Sequence, residues 1–216
     1  DMDCNGECDG SSEIDNCGVC EGDNSCGYSG PSWYVHTGTD GDGAESSPFN
    51  SIQNAINAAS SGHTIYVLDG TFNEAISVVS KNLTLIGQGP DNTIINAQGT
   101  NSRGCNLTIS SSEIIPMTVS MSGFSIINGD CVGNNCSGGG MKVSGISTQY
   151  ISANLSNLNI SNNIAGGHAG GIYFSYANAN VSNSVIYNNE CGKQGGAIRA
   201  TNGSSTTLSY VLVDGN

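Results

Sequence analysis

AGGIYFS occupies residues 169–175 and GGAIRAT occupies residues 195–201, so the chain repeats a segment rich in Gly and apolar residues. Aligning the two segments places Ile172 on Ile198, an offset of 26. A constant offset of this size, in a region of short β-rich segments, predicts a solenoid in which each supersecondary unit stacks on the next. The strands of one coil then find their hydrogen-bond partners on the coils above and below.

The same offset aligns VIYNN at 185–189 with VLVDGN at 211–216. Apolar side chains at equivalent positions are expected to stack into a core column, and the Asn residues beside them into polar columns whose amides bond along the stack. The offset predicts the columns Ile160–Ile186–Leu212, Asn162–Asn188–Asp214 and Asn163–Asn189. A coil of this length suits three short strands joined by turns.

The composition excludes several classes of protein. Only 11% of the 216 residues are charged and 31 are Gly, which fits neither a disordered chain nor a helical one. The 18 acidic residues outnumber the 5 basic ones and give a net charge of −13. Nucleic acid is therefore not an expected partner, because phosphate contacts need clustered Lys and Arg. Membrane insertion is not expected either, since no segment approaches the ~18 consecutive apolar residues of a membrane span.

One helix is predicted, at about 48–60. Ser47 is the expected N-cap, Pro48 the first helical position and Gly62 the stop signal. A single apolar stripe runs along this segment: Phe49, Ile52, Ala55, Ile56 and Ala59. After Gly62 the chain contains only short β-rich segments, separated by Gly, Asn, Asp or Ser.

Residues 31–216 resemble the right-handed parallel β-helix proteins of the pectate-lyase-like superfamily. The resemblance is carried by YVHTGTDGDG at 34–43, SPFNSIQNAINAA at 47–59 and TIYVLDGTFNE at 64–74, and more generally by the G-G-I and I-x-N-N segments of later coils. It implies an all-β fold, a right-handed parallel β-helix whose single N-terminal α-helix caps the core. A β-sandwich is the alternative, but it would not explain the constant offsets.

Residues 1–30 form a separate predicted region, an acidic arm with five cysteines and almost no apolar residues. Such a segment cannot build a core, so disulfides or bound metal must order it. DMDCNG at 1–6 and DNCGVCEGDN at 15–24 resemble the calcium repeats of the thrombospondin type 3 kind, and their carboxylate and amide oxygens are ligands that Ca²⁺ takes. The calcium ligands predicted in the arm are Asp1, Asp3, Asn5, Asp9, Asp15 and Asp23.

The loop TGTDGDGAE at 37–45 is a second candidate calcium site, with Asp40 and Asp42 as ligands. A solvated acidic loop is the competing interpretation. Zinc or redox chemistry at CGVC, residues 17–20, is disfavoured because neither a matching second ligand pair nor a βαβ context accompanies it.

The cysteines indicate export, since disulfides persist in oxidising compartments, and they predict an extracellular or cell-surface protein. All nine are disulfide candidates: Cys4, Cys8, Cys17, Cys20, Cys26, Cys105, Cys131, Cys136 and Cys191. Cys131 and Cys136 bracket VGNN and are expected to close a small loop, whereas the other pairings are left open. Candidate N-glycosylation sites, in a number close to chance, are Asn82, Asn106, Asn135, Asn154, Asn159, Asn180 and Asn202.

The leading functional hypothesis is a non-enzymatic extracellular structural or adhesive β-helix. In it the chain self-assembles head to tail, as a homo-oligomer, into a calcium-stabilised filament or surface layer. The hypothesis rests on open strand edges at an uncapped last coil, on the acidic arm, and on the lack of a catalytic cluster. No catalytic residue is proposed, and an enzyme is disfavoured.

The alternative is a carbohydrate-active β-helix that binds or cleaves a polysaccharide along its flank, with glycans as partners. Arg199 should point outward with Tyr173 one coil below it, and such a pair could bind a sugar. A solvated Arg lying on a Tyr ring is the competing interpretation. The net charge of −13 is also expected to repel an acidic polysaccharide.

Overall fold

A computed structural model of the protein describes residues 28–109 and 116–216. Within them the chain folds as a right-handed parallel β-helix with one α-helix near its N-terminal end, so the predicted fold class is confirmed. Almost all of the acidic arm lies outside the described residues. The arm's boundary at residue 30 and its resemblance to thrombospondin type 3 repeats therefore stay predictions.

The helix and strands alternate as the sequence predicts, with short strands separated by turns. In chain order they are β1 (Ser32–Val35), α1 (Ile52–Ala58), β2 (Thr64–Val67), β3 (Gly70–Phe72), β4 (Ile76–Val79), β5 (Leu83–Ile86), β6 (Thr93–Asn96), β7 (Cys105–Thr108), β8 (Met117–Ile127), β9 (Asp130–Cys131), β10 (Met141–Ser144), β11 (Ile151–Ser161), β12 (Ile164–Ala165), β13 (Ile172–Ser175), β14 (Ala177–Tyr187), β15 (Glu190–Cys191), β16 (Ile198–Thr201) and β17 (Ser205–Asp214).

The strands form three sheets that run along the helix axis. A nine-stranded sheet has the order β1-β2-β5-β8-β11-β14-β17, with β3 and β6 paired beside β8. A five-stranded sheet has the order β16-β13-β10-β7-β4, and a three-stranded sheet the order β15-β12-β9. Every strand pair in these sheets is parallel. The alternative of a sandwich, which is built from antiparallel sheets, is thereby excluded.

The longest strands bend once near the middle, and the bends stack. Gly123 in β8, Asn157 in β11 and Asn183 in β14 have φ of 80°, 51° and 48°. A Cβ on Gly123 would lie 2.5 Å from the carbonyl oxygen of Gly87, so a larger residue would clash there. Asn is one of the few other residues that adopts this conformation readily. Each of these strands therefore covers two sides of its coil.

Inward-pointing apolar side chains fill the inside of the coils. Ile126, Ile160 and Ile186 lie opposite one another on β8, β11 and β14 and are fully buried. This confirms the column predicted for Ile160 and Ile186. Its third member differs, because Val213 and not Leu212 lies opposite Ile186.

The last coil differs because its register in the nine-stranded sheet is shifted by one position. β13 pairs with β16 at the predicted offset of 26, with Ile172 opposite Ile198. β14 instead pairs with β17 at an offset of 27, with Asn178 opposite Ser205. The chain from Thr201 to Ser205 is therefore one residue longer than the equivalent chain from Ser175 to Asn178. Asp214 consequently lies opposite Tyr187, and the predicted pairing of Asp214 with Asn188 is wrong.

The polar column inside the β-helix consists of Asn163, Asn189 and Asn216. Asn163 Nδ2 donates to Asn189 Oδ1 at 2.9 Å, and Asn189 Nδ2 donates to Asn216 Oδ1 at 2.8 Å. The backbone N–H of Gly129 donates to Asn163 Oδ1 at 2.8 Å, which extends the column by one coil. Asn163 and Asn189 are buried, so these bonds satisfy polar groups that water cannot reach.

Helix α1 begins later than predicted, at Ile52, with Ser51 and not Ser47 as its N-cap. Ser47 and Phe49 instead form isolated β-bridges, with Ala44 and Val35 respectively, which hold the preceding segment extended. The predicted apolar stripe is present, since Ile52, Ala55, Ile56 and Ala59 are all buried.

Two charged side chains from the next coil hold the ends of α1. Glu74 accepts hydrogen bonds from the Ser51 hydroxyl (2.8 Å) and from the backbone N–H groups of Ile52 (2.7 Å) and Gln53 (3.0 Å). At the other end Lys81 Nζ donates to three carbonyl oxygens, at 2.8, 3.0 and 2.8 Å. An anion at the N-terminus and a cation at the C-terminus both complement the helix dipole.

Candidate functional site

The outward side chains of the five-stranded sheet form one continuous surface. In four neighbouring strands of this sheet, β7, β10, β13 and β16, the second residues lie opposite one another. These residues are Asn106, Lys142, Tyr173 and Arg199. Neighbouring strands lie about 4.8 Å apart. Lys142 and Arg199 therefore lie on either side of Tyr173, whose hydroxyl accepts a hydrogen bond from Thr201 Oγ1 at 2.9 Å.

Arg199 is held in place by two side chains from neighbouring turns. Its Nη1 donates to His168 Nδ1 at 2.8 Å and also to Gln194 Oε1. Because a guanidinium can only donate, His168 Nδ1 is an acceptor and the imidazole is neutral. Burial lowers the pKa of His168, and the positive charges of Arg199 and Lys193 lower it further, against a raising hydrogen bond with the Gln194 backbone.

The turns that carry these side chains stack on one another. The backbone N–H of Lys193 donates to the carbonyl of Gly167 at 2.9 Å, and that of Ala169 to the carbonyl of Gln194 at 3.0 Å. The backbone N–H of His168 in turn donates to Ser137 Oγ at 3.2 Å. His168 and Gln194 are thus fixed relative to Arg199 by backbone contacts on both sides.

Arg103 adds a further positive charge beside Lys142. Its Nη2 lies 3.4 Å and 3.3 Å from the sulfurs of Cys131 and Cys136, and its buried Nε has no partner among the described residues. Burial lowers the pKa of Arg103. Burial also lowers the pKa of Lys142, and the charge of Arg103 lowers it further. We call the surface formed by Arg103, Lys142, Tyr173, Lys193 and Arg199 the cationic flank.

The charge of the protein is unevenly distributed. Residues 1–27 contain 8 of the 18 acidic residues and none of the 5 basic ones, which leaves 10 acidic against 5 basic residues in 28–216, a net charge of −5. Four of the five basic residues belong to the cationic flank. The fifth, Lys81, caps α1. The net charge of −13 therefore says little about the local potential at this surface.

The chemistry available on the cationic flank is that of anion and ring recognition. A guanidinium presents paired N–H donors that match a carboxylate, and an ammonium adds a point charge. The outward positions of the sheet are Ser77, Val79, Asn106, Thr108, Lys142, Ser144, Tyr173, Ser175, Arg199 and Thr201, none of which carries a carboxylate. A carboxylate pair of the kind that glycosidases use is thus not supplied by these strands.

The second candidate calcium site is not gathered into a cluster. Asp42 Oδ1 accepts from the backbone N–H of Ala44 at 3.2 Å, and Asp40 Oδ1 accepts from Asn50 Nδ2 at 3.4 Å. Residues 28–109 and 116–216 contain no group of three or more His, Cys, Asp or Glu side chains that could hold a metal ion. The ligands predicted in the arm lie outside the described residues, so calcium binding there stays a prediction: Asp1, Asp3, Asn5, Asp9, Asp15 and Asp23.

The cysteines of the described residues form one disulfide and two thiols. Cys131 and Cys136 are bonded, with Cα atoms 5.5 Å apart, so the predicted small loop is closed. Cys105 and Cys191 have no disulfide partner among residues 28–109 and 116–216. Burial raises the pKa of the Cys105 thiol to about 12. The arm's cysteines lie outside the described residues: Cys4, Cys8, Cys17, Cys20 and Cys26.

The candidate glycosylation sites differ in exposure, and glycosylation at each of them stays a prediction. The exposed ones are Asn135, Asn154, Asn180 and Asn202. The half-buried ones are Asn82, Asn106 and Asn159, of which Asn82 accepts a backbone hydrogen bond from Thr118 at 2.7 Å and Asn159 has a buried Oδ1.

The offset of 26 predicts the pair of Tyr173 and Arg199 but not the residues beside them. Lys142 pairs with Tyr173 and His168 contacts Arg199, and neither pair is separated by the repeat offset of 26. The sequence does show that four of the five basic residues lie at or after position 103. Their proximity can be recognised only when the register of each coil is known.

The solved structures similar to this chain include two pectin methylesterases. The chain is similar to a pectin methylesterase in complex with a hexasaccharide, at 16% identity and a TM-score of 0.45 over 72% of this chain and 55% of that one. It is also similar to the pectin methylesterase from Aspergillus niger, at 13% identity and a TM-score of 0.30 over 85% of each chain. The chain thus spans about half the length of the first. No protein-family profile and no curated protein sequence matches the chain.

These structures correct the leading hypothesis. Pectin methylesterases are carbohydrate-active enzymes, so the preference for a non-enzymatic structural or adhesive filament subunit is wrong and the carbohydrate-active alternative is the better supported one. The similarity concerns the fold, and the choice of ligand rests on the side chains of the cationic flank. Head-to-tail self-association stays a prediction. No helix among the described residues is long and apolar enough to cross a membrane.

Proposed function

We propose that this protein is an extracellular carbohydrate-active β-helix that binds an acidic polysaccharide along the cationic flank. The observation that carries the proposal is the in-register row of Lys142, Tyr173 and Arg199 on adjacent coils. It places two cations on either side of an aromatic ring, which suits a polymer that carries carboxylates on sugar rings.

Preorganisation supports a binding role for Arg199. A solvated arginine loses side-chain entropy when it binds a ligand. Arg199 is instead already held by His168 and Gln194. Its bonds with these two neutral side chains leave its charge uncompensated. Such an arginine is available for a bidentate contact with a carboxylate.

An extracellular location is proposed with this function. The disulfide between Cys131 and Cys136 supports it, because disulfides persist in oxidising compartments. Acidic polysaccharides of cell walls and matrices would then be accessible to the cationic flank.

The first test measures the affinity of the protein for polygalacturonate by titration calorimetry at low and moderate salt. We expect Arg199→Gln to weaken binding by about tenfold, which corresponds to roughly 1.4 kcal/mol. Gln88→Glu is the matched control, because it changes the net charge by the same amount at an exposed turn between β5 and β6, in another sheet. Its affinity should stay within about twofold of the unmodified protein.

Two outcomes would contradict the proposal. One is equal weakening by Arg199→Gln and Gln88→Glu, which would reduce the effect to net charge. The other is no binding of polygalacturonate by the unmodified protein at low salt. The same titration is analysed for cleaved or de-esterified product, because the carbohydrate-active class includes enzymes.

A further inference from the structure

The nine-stranded sheet presents a second surface with a different chemistry. On the first halves of β8, β11, β14 and β17, every outward position is Ser, Thr or Asn: Thr118, Ser120, Ser122, Ser152, Asn154, Ser156, Asn178, Asn180, Ser182, Ser205, Thr207 and Ser209. These twelve residues form three columns in register across four coils. None of them is charged or apolar.

The central column continues to the first coil of the helix. Ser120 lies opposite Thr84, Thr84 opposite Thr64, and Thr64 opposite Ser32. The full column of seven residues is Ser32, Thr64, Thr84, Ser120, Asn154, Asn180 and Thr207. With strands about 4.8 Å apart and outward residues about 6.6 Å apart along each strand, the column extends roughly 29 Å.

Two tyrosines lie on the same face at its N-terminal end. Tyr34 and Tyr66 stack with ring centroids 5.3 Å apart and an interplanar angle of 21°. Both are half-buried, and their strand positions are two residues from Ser32 and Thr64 respectively. We call this surface, the Ser, Thr and Asn columns with Tyr34 and Tyr66, the hydroxyl face.

We propose that the hydroxyl face binds the surface of an insoluble neutral polysaccharide. Ser and Thr hydroxyls and Asn amides both donate and accept hydrogen bonds, as sugar hydroxyls do. Within the columns, Asn180 Nδ2 donates a hydrogen bond to Asn154 Oδ1 at 3.3 Å. The Ser and Thr hydroxyls of the columns are not used in this bond, so they can donate to and accept from a ligand. The aromatic pair offers an apolar surface on which sugar rings pack.

The periodicity of the face favours an ordered solid over a free oligosaccharide. Each hydroxyl contact is weak in water, because it replaces a bond to solvent. Many equivalent contacts on one rigid surface add up when the partner is itself repetitive. The Ser, Thr and Asn columns carry no charge, so they offer no ion pair to either a polyanion or a polycation. The central row of the cationic flank, Lys142, Tyr173 and Arg199, lies on the five-stranded sheet, so the two surfaces can be tested with different ligands.

Two candidate glycosylation sites lie at the centre of the hydroxyl face. Asn154 and Asn180 are exposed and begin N-x-S sequons whose serines, Ser156 and Ser182, lie on the same face. A glycan on either Asn would cover the columns. The proposal therefore requires both to be unmodified, and the test uses protein from a host without N-glycosylation.

The test is co-sedimentation of the protein with microcrystalline cellulose, with the unbound fraction measured in the supernatant. We expect saturable depletion of the unmodified protein, at least a tenfold loss of apparent affinity in Asn154→Lys, and a several-fold loss in Tyr66→Ala. Asn134→Lys is the matched control, since it makes the same change at an exposed position in the loop closed by Cys131 and Cys136. Denaturant unfolding of each variant identifies any that fails to fold, and Ser156→Lys then replaces it.

Several results would overturn the proposal. The protein could stay in the supernatant, or Asn154→Lys and Asn134→Lys could bind cellulose equally. Sedimentation of the protein without cellulose, abolished by Asn154→Lys, would show that the face pairs with a second copy instead. Shaping of ice crystals without cellulose binding would assign the face to ordered water. None of these results depends on polygalacturonate, so failure here is distinct from failure at the cationic flank.

Discussion

Single Asn residues carry much of the specificity of this fold. Asn163 is fully buried and uses both ends of its amide: its Oδ1 accepts from Gly129 and its Nδ2 donates to Asn189 and to the carbonyl of Ile126. A buried amide is tolerated only when its bonds are made. Asn157 and Asn183 have another task, since they supply the positive φ at the strand bends. Asn thus has two roles in this fold: its side chain forms hydrogen bonds between coils in the interior, and its backbone adopts the positive φ needed at the strand bends.

His168 gives the cationic flank a pH dependence. Its folded-state pKa is lowered, so the imidazole is neutral near pH 7 and becomes protonated as the pH falls below its usual value of about 6.5. Protonation ends the hydrogen bond with Arg199 and costs some of its preorganisation, but it adds a positive charge, unfavourable in the free protein and favourable beside a bound polyanion, and this added charge is the larger effect. Affinity for polygalacturonate should therefore rise by about two- to fivefold between pH 7.5 and 5.5.

His168→Gln is the variant that isolates this effect, because its amide oxygen can still accept from Arg199 but does not titrate. Binding by the variant should change less over the same pH range in titration calorimetry. An identical pH dependence in the two proteins would assign the effect to the acidic residues elsewhere on the surface.

At the level of elements, α1 depends on the coil that follows it. The helix has seven residues, which is too short to be stable alone. Its exposed N–H groups and carbonyls are satisfied by Glu74 and Lys81 from the segments on either side of β4. The helix therefore folds with the first coils and not before them.

Glu74→Gln should lower the free energy of unfolding by about 1–2 kcal/mol, because the carboxamide loses the charge and turns a donor toward N–H groups. Glu45→Gln removes the same charge from an exposed loop and should change the free energy by less than about 0.5 kcal/mol. Urea denaturation monitored by Trp33 fluorescence measures both. Equal effects of the two substitutions would show that the contacts of Glu74 contribute nothing beyond its charge.

Sequence patterns predict the strands that repeat from coil to coil better than they predict changes in turn length or the start of α1. The offset of 26 correctly pairs Ile172 with Ile198 and Asn163 with Asn189, since side chains of one coil must fit those of the next. It fails at β17, where one extra residue in a turn shifts the register by one. The N-cap predicted for α1 is wrong for a related reason, because the bridge between Val35 and Phe49 is a tertiary contact that local preference does not reveal.

At the scale of the whole molecule, the β-helix separates two surfaces by sheet. The five-stranded sheet presents Lys142 and Arg199, with Arg103 and Lys193 in turns near them, and the nine-stranded sheet presents uncharged hydroxyls and amides. The sequence suggested only the pair of Tyr173 and Arg199, because residues from coils of different lengths meet at this surface. The coil lengths vary, and sequence spacing alone could not group Arg103 with Lys142 or His168 with Arg199.

If an acidic polysaccharide lies along the cationic flank, hydrogen–deuterium exchange with and without polygalacturonate will show where the polymer covers the backbone. We expect slower exchange in the turns at 133–139, 166–171 and 192–197, which lie beside or within the flank, and unchanged exchange in the strands of the hydroxyl face. Protection confined to other parts of the molecule, or no protection at saturating polymer, would contradict it.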